Sequence, residues 1–138
     1  MNWKKFWIST LAVFGMIWIT DFVIHGMLLK PLYEASANLW RSPEEMQRFL
    51  GYLVVGEFGA GLFLVWIFAH GYKGSGWLEG VRYGLLIGGY CAASMLIMYA
   101  IAPYSPQLVL SWIGVCFLQS ILAGILTSLI YGTSVRPA

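Results

Sequence analysis

Residues 83–102 read YGLLIGGYCAASMLIMYAIA, and those 20 residues carry no charge. A helix that crosses a bilayer needs roughly 20 predominantly apolar residues, so this stretch alone predicts a membrane span. A second run, residues 108–131, has no charge across 24 residues. Phe6 to Leu29 is interrupted only by Asp21 and His25, and Phe49 to Ala69 only by Glu57. The pattern predicts four transmembrane helices at about 6–29, 43–70, 77–102 and 106–132, forming one all-α bundle over residues 1–138.

Composition agrees. The chain is 59% hydrophobic and 10% charged, with a mean hydropathy of +0.74. Soluble domains carry about 25% charged residues. A β-barrel would show segments of roughly 10 alternating residues, and none is present. The net charge of +2 is too small to point to nucleic acid. Lys4 and Lys5 before an apolar stretch resemble a signal peptide, but the run is too long and lacks an A-x-A-like site. Cys91 and Cys116 lie mid-span without a C-x-x-C pattern and read as small core residues.

Punctuation sets the helix ends. Pro31 biases Lys30 away from helical geometry and is expected to end the first span, leaving KPLYEASANLWR as the longest loop. Ser42-Pro43-Glu44-Glu45 reads as an N-cap, a proline at the first helical position and acids in the first turn. Ser105-Pro106 repeats the cap. GYKGSG is a turn whose glycines follow no strand, which argues against a phosphate loop.

Lys4, Lys5, Lys73, Arg82 and Arg136 fall on one side, and Lys30, Arg41 and Arg48 on the other. The positive-inside rule then places both termini in the cytoplasm. Arg82 is expected to snorkel to the interface or to pair with Glu79.

Lipid gives no hydrophobic push between helices, so small residues must allow close backbone approach. Gly80, Gly84, Gly88 and Ala92 recur at every fourth position of the third span, in the manner of a glycine zipper. Cys116, Ser120, Gly124, Ser128 and Gly132 do so in the fourth, and Gly56 and Ala60 in the second. These ridges suit packing within one chain, a homo-oligomer or a larger membrane complex.

The ionisable residues inside the spans are the functional candidates. Asp21 and His25 share a helical face. Glu57 lies at a similar depth, roughly 10 Å below the outer boundary at 1.5 Å per residue. Asp21, His25 and Glu57 are therefore expected to form one buried cluster. It would be a clasp between the first two spans with one carboxyl protonated, a proton or cation relay, or a metal site of one imidazole and two carboxylates. His25 and His70 sit near opposite ends, which excludes one haem held between them. Gln119 reads as interhelical glue. No serine is set beside either histidine, so nothing signals nucleophilic catalysis.

DFVIHGMLLKPLYEASANLWR, with His25-Gly26, Leu28-Leu29, Tyr33 and Trp40-Arg41 followed by three more spans, resembles small four-helix bacterial membrane proteins of families of unknown function. The resemblance implies the bacterial inner membrane and no particular activity. The layout does not resemble the small multidrug transporters, which place a glutamate in the first helix, or the small fluoride channels. The expected function is non-enzymatic: an accessory or structural subunit, or a self-associating bundle, with the lipid bilayer and other membrane subunits as partners and no nucleic acid. The alternatives are a small transporter or proton/cation-coupled permeation unit using the cluster, and a metal-dependent membrane enzyme. No cofactor is expected, apart from a metal ion on Asp21, His25 and Glu57 in the last case.

Overall fold

The computed structural model describes residues 1–132; Arg136 lies outside the described residues. The chain is an all-α bundle with four helices long and apolar enough to cross a membrane. Helices α1 (Trp3–Val23), α4 (Leu50–Gly71), α5 (Trp77–Ile101) and α6 (Pro106–Gly132) are the long elements. Short helices α2 (Lys30–Glu34) and α3 (Pro43–Arg48) lie between α1 and α4.

The first span begins earlier than expected, because the Asn2 side chain accepts from Lys5 N at 3.1 Å and caps it. It also ends differently. The last turn widens into a π-helix, Ile24–Leu28, closed by Leu29 N donating to Ile24 O at 2.7 Å. Pro31 does not stop the chain. It sits in the first turn of α2, where a missing N–H costs nothing. The expected loop is therefore mostly helical, with α2 followed by a 3₁₀ turn at Ala37–Leu39.

Ser42 caps α3 through a reciprocal capping box with Glu45, as the SPEE motif predicts. The helix does not run on, however. It breaks at Phe49 (φ −100°, ψ 4°), over whose ring the Arg41 guanidinium lies at 4.0 Å, and α4 starts afresh. Ser105 Oγ accepts from Leu108 N at 3.3 Å and caps α6. In GYKGSG, Gly74 and Gly76 take φ of 82° and 80°, a region open mainly to glycine. The Glu79 carboxylate accepts from Lys73 N and Ser75 N in that turn. It forms no ion pair with Arg82 among the described residues, because the turn's free N–H groups claim it.

The core joins Phe6, Val13 and Ile17 of α1 to Val65 of α4 and Ala123 of α6. Helix α5 contributes nothing to that core. Its buried residues are Gly80, Gly84, Gly88 and Ala92 alone, and they pack on α6, where Ser120, Gly124 and Ser128 are buried. A Cβ on Gly80 would collide with the carbonyl of Gly124, one on Gly84 with the backbone of Ile121, and one on Gly88 would stand 2.9 Å from Phe117 Cα.

The second-span ridge behaves otherwise. Gly56 and Ala60 are exposed, and nothing lies within 4 Å of a Cβ built on Gly56. Gly61 makes the close approach instead, 3.4 Å from Phe14 N, because it is the small residue on the face that α4 turns toward α1.

Lys5 Nζ donates to Tyr131 O at 2.8 Å, a cation on a helix C-terminus that ties the start of α1 to the end of α6. This end of the bundle is called the terminal end below. The end formed by α2, α3 and the α5–α6 turn is the cap end.

Gly84→Leu should lower unfolding stability in detergent by about 1–3 kcal/mol or more through forced overpacking. Gly89→Leu, at a site with nothing within 4 Å, should leave it unchanged. Denaturant unfolding followed by circular dichroism compares the two. Equal stability would show that the α5–α6 contact is not close.

Candidate functional site: a polar groove beside α5

Because α5 rests on α6 rather than on the core, its cap-end half stands away from α1 and α4. At the terminal end it is tethered to α4. Tyr83 Oη donates to Leu64 O at 2.5 Å, and the Tyr83 ring meets Phe68 at 5.3 Å. Further toward the cap end a cleft of about 560 Å³ opens between the helices. Gly56, Glu57 and Ala60 of α4 form one wall, Tyr90 and Cys91 of α5 the other, and Asp21, Cys116 and Gln119 the floor. A second cleft of about 390 Å³ continues toward the cap end, lined by His25, Met95, Met98, Tyr104 and Trp112. Both clefts include Asp21, Cys116 and Gln119. The two clefts meet at these shared residues and are described together as one groove.

That contact is the polar centre. Gln119 Nε2 donates to Asp21 Oδ1 at 2.6 Å and to Thr20 Oγ1 at 2.8 Å. Thr20 Oγ1 in turn donates to Met16 O at 2.9 Å. The amide thus spends both its N–H groups on α1. Gln119 thus adds a clasp between α1 and α6, beside the Asp21–Glu57 contact that joins the first two spans.

Glu57 faces Asp21 across the cleft. Its Oε2 is shielded from solvent and has no hydrogen-bond partner. The cluster is also less buried than expected: the Asp21 and His25 side chains retain 26% and 33% of their exposure, because α5 does not close over them. Among the described residues no three His, Cys, Asp or Glu side chains are arranged to hold a metal ion. The metal-site alternative for Asp21, His25 and Glu57 therefore gains no geometric support among the described residues.

His25 sits in the π turn. A π turn inside a helix often marks a functional position, and this one gives the imidazole two neighbours. Nε2 lies 3.6 Å from Asp21 Oδ1, and Nδ1 lies 2.6 Å from Tyr33 Oη. Trp112 Nε1 donates to the same Tyr33 oxygen at 2.8 Å. Indole is a donor only, so Tyr33 accepts there and keeps its own proton for His25 Nδ1. The imidazole then carries its proton on Nε2, directed at Asp21. Hydrogen bonds link Trp112, Tyr33 and His25, and a 3.6 Å contact leads on from His25 to the Asp21–Gln119 pair.

Aromatic rings frame the chain's cap end. Trp40 stacks on Tyr104 at 5.6 Å and 14°, and Tyr104 meets Trp112 edge-on at 5.0 Å. Trp40 Nε1 donates to Ser36 Oγ at 3.0 Å. Burial raises the Tyr33 pKa above its ordinary 10.0. The Trp112 hydrogen bond pulls the other way, and the Asp21 charge raises it further.

His70 takes no part. It lies at the terminal end of α4, where Nδ1–H donates to Trp66 O at 2.9 Å and the ring stacks on Trp66. The convergence of Tyr33, Trp40 and Tyr104 on Trp112 is not legible in the sequence pattern. The one available signal was Trp112 itself, an indole needing an acceptor two turns inside α6.

The chain matches no family model, no curated protein and no solved structure.

Gln119→Leu should cost about 1 kcal/mol of stability, the scale of an interhelical hydrogen bond in a membrane. Asp21→Asn keeps an acceptor for Gln119 and should cost less than half of that. Unfolding curves of the two variants check the order, and a reversed order would remove Gln119 as the clasp.

Because the Tyr33 pKa is raised on folding, its contribution to stability is complete below pH 10 and is lost as pH climbs through the raised value. The tyrosinate absorbance missing from Tyr33→Phe, relative to wild type, should therefore lie at pH above 10. A difference centred below pH 10 would contradict the buried placement.

Proposed function

We propose that this chain is a non-enzymatic subunit of the bacterial cytoplasmic membrane that completes its α5 side by self-association or within a larger membrane complex. One observation carries the reading. Helix α5 is held by α6 on one face only, and the cleft between α5 and α4 is left open with an unpartnered Glu57 oxygen inside it. An unsatisfied polar atom at membrane depth is costly, and a packed neighbour removes the cost. Large side chains on the free face of α5, Leu86 at 75% and Tyr90 at 75% exposure, offer contact area. The layout's resemblance to bacterial inner-membrane proteins supports the compartment. Lys4, Lys5, Lys73 and Arg82 at the terminal end support cytoplasmic termini by the positive-inside rule.

A second reading has its own support. The two clefts meet at Asp21 and Gln119, where Glu57 faces Asp21 and the Tyr33–His25 chain arrives. This arrangement supports a proton- or cation-coupled permeation unit, with Asp21, His25 and Glu57 as the exchanging groups.

Native mass spectrometry from lipid nanodiscs separates the readings when paired with proton flux in proteoliposomes. A subunit gives more than one chain per particle or a co-purifying membrane protein, with no flux. A permeation unit gives flux that Glu57→Gln reduces at least tenfold. A lone 15.4 kDa chain without flux defeats both.

A further inference from the structure

We propose that the groove beside α5 binds a soft monovalent metal cation, Cu(I), on Cys91, Cys116 and Met95, with Met98, about 10 Å along α5 from Cys91, as a further sulfur on the approach from the cap end. Met98, Met95 and Cys91 follow at helical spacing on one face of α5, since residues three and four apart are neighbours. Cys116 comes from α6. Cys91 is ten residues before the Ile101 end of α5, and Cys116 ten residues after the Pro106 start of α6. At 1.5 Å per residue both thiols sit about 15 Å below the cap end. The close approach of the helices keeps that register, with a Cβ on Gly88 only 3.2 Å from Cys116 O.

The groove makes the set usable. Met95, Met98 and Cys116 line the cleft nearer the cap end, and Cys91 and Cys116 line the deeper one. Both cysteines are free thiols, half-buried rather than sealed in the core. Met98 is 40% exposed and lines the cleft.

Thioether and thiolate ligands select Cu(I), whereas Mg²⁺, Ca²⁺ and Mn²⁺ want oxygens. Structural Zn²⁺ wants four ligands in a tetrahedron, and no three His, Cys, Asp or Glu side chains among the described residues supply even most of one. Each thiol that ligates the ion exchanges S–H for S–Cu and releases one proton to solvent. No electron changes hands. The inference goes beyond the subunit and permeation readings and stands independently of both.

The test is Cu(I) binding by the full chain in detergent, kept anaerobic with ascorbate and measured by competition with bicinchoninate. The expected result is one Cu(I) per chain, with an X-ray absorption spectrum showing sulfur neighbours only. Met95→Leu with Met98→Leu should weaken binding at least tenfold, and Cys91→Ser with Cys116→Ser should abolish it. Circular dichroism and elution volume check the fold of each variant. The methionine pair keeps the test decisive even where the cysteine pair misfolds, because leucine conserves volume. Retention no greater than the detergent blank overturns the proposal. So does equal affinity in the methionine variant, or nitrogen and oxygen neighbours around the ion.

Discussion

Two helices in hydrocarbon gain nothing by hiding leucines from each other, since lipid tails are as apolar as leucine. What they can gain is dispersion contact, and that requires backbones to approach. Gly80 against Gly124 is where this chain approaches most closely, with no room for a Cβ on either side. The consequence reaches beyond that pair. Helix α5 packs one small face, Gly80 through Ala92, and α6 consumes all of it. The rest of α5 presents bulky groups such as Leu86, Tyr90 and Ile97, all strongly exposed. The other small pair on α5, Gly89 and Ala93, is left open, and a groove remains between α5 and α4.

Hydrogen bonds orient this arrangement rather than create it. Interhelical bonds in membranes average about 0.6 kcal/mol, too little to define a bundle alone. Their value lies in placement. Gln119 sets the rotation of α6 against α1, Tyr83 anchors α5 to α4 at one end only, and Lys5 pins the start of α1 to the end of α6. The Tyr33–Trp112 bond locks the short α2 over α6. Each link joins elements that their small residues do not join, so the two kinds of contact divide the work.

The uncharged runs made the four spans readable, since charge is the costliest thing to place in lipid. Ser42 and Ser105 announced two helix starts because capping chemistry is local. Gly80, Gly84, Gly88 and Gly124 were readable as ridges for a similar reason, but which ridge meets which helix was not. Gly56 and Ala60 have the same spacing, yet they line a cleft, and Gly61 does the packing because of how α4 is turned. The π turn at Ile24–Leu28 left no mark in the sequence, and Pro31, the strongest local breaker, proved compatible with a helix start. Depth counting joined Asp21 to Glu57 but missed Gln119. Gln119 lies about twice as far from its own span's cap end as Asp21 does, and counting treats span ends as level. Only the tilt and offset of α6 bring the two together.

The two ends of the bundle are chemically unlike, and this asymmetry bears most on function. At the terminal end the rings of Phe68, Tyr72, Tyr83 and Tyr131 close on one another, while Trp3, Phe6 and Trp66 pack edge-to-face beside them. That end is sealed by aromatic contact and by the Lys5–Tyr131 tie. At the cap end the rings of Tyr33, Trp40, Tyr104 and Trp112 instead surround polar atoms, and they stand around a groove that leads down to Asp21 and Cys116. A bundle sealed at one end and open at the other does not form a straight pore. Its interior is reached from the cap end or sideways through the α4–α5 gap. The Tyr83–Leu64 tether closes α5 on α4 toward the terminal end, whereas an ion or neighbouring helix at the groove meets no such contact. The geometry therefore separates the groove, which is open to binding, from the terminal end, where α5 is tethered to α4 and packs on α6 across a backbone contact with no slack in it.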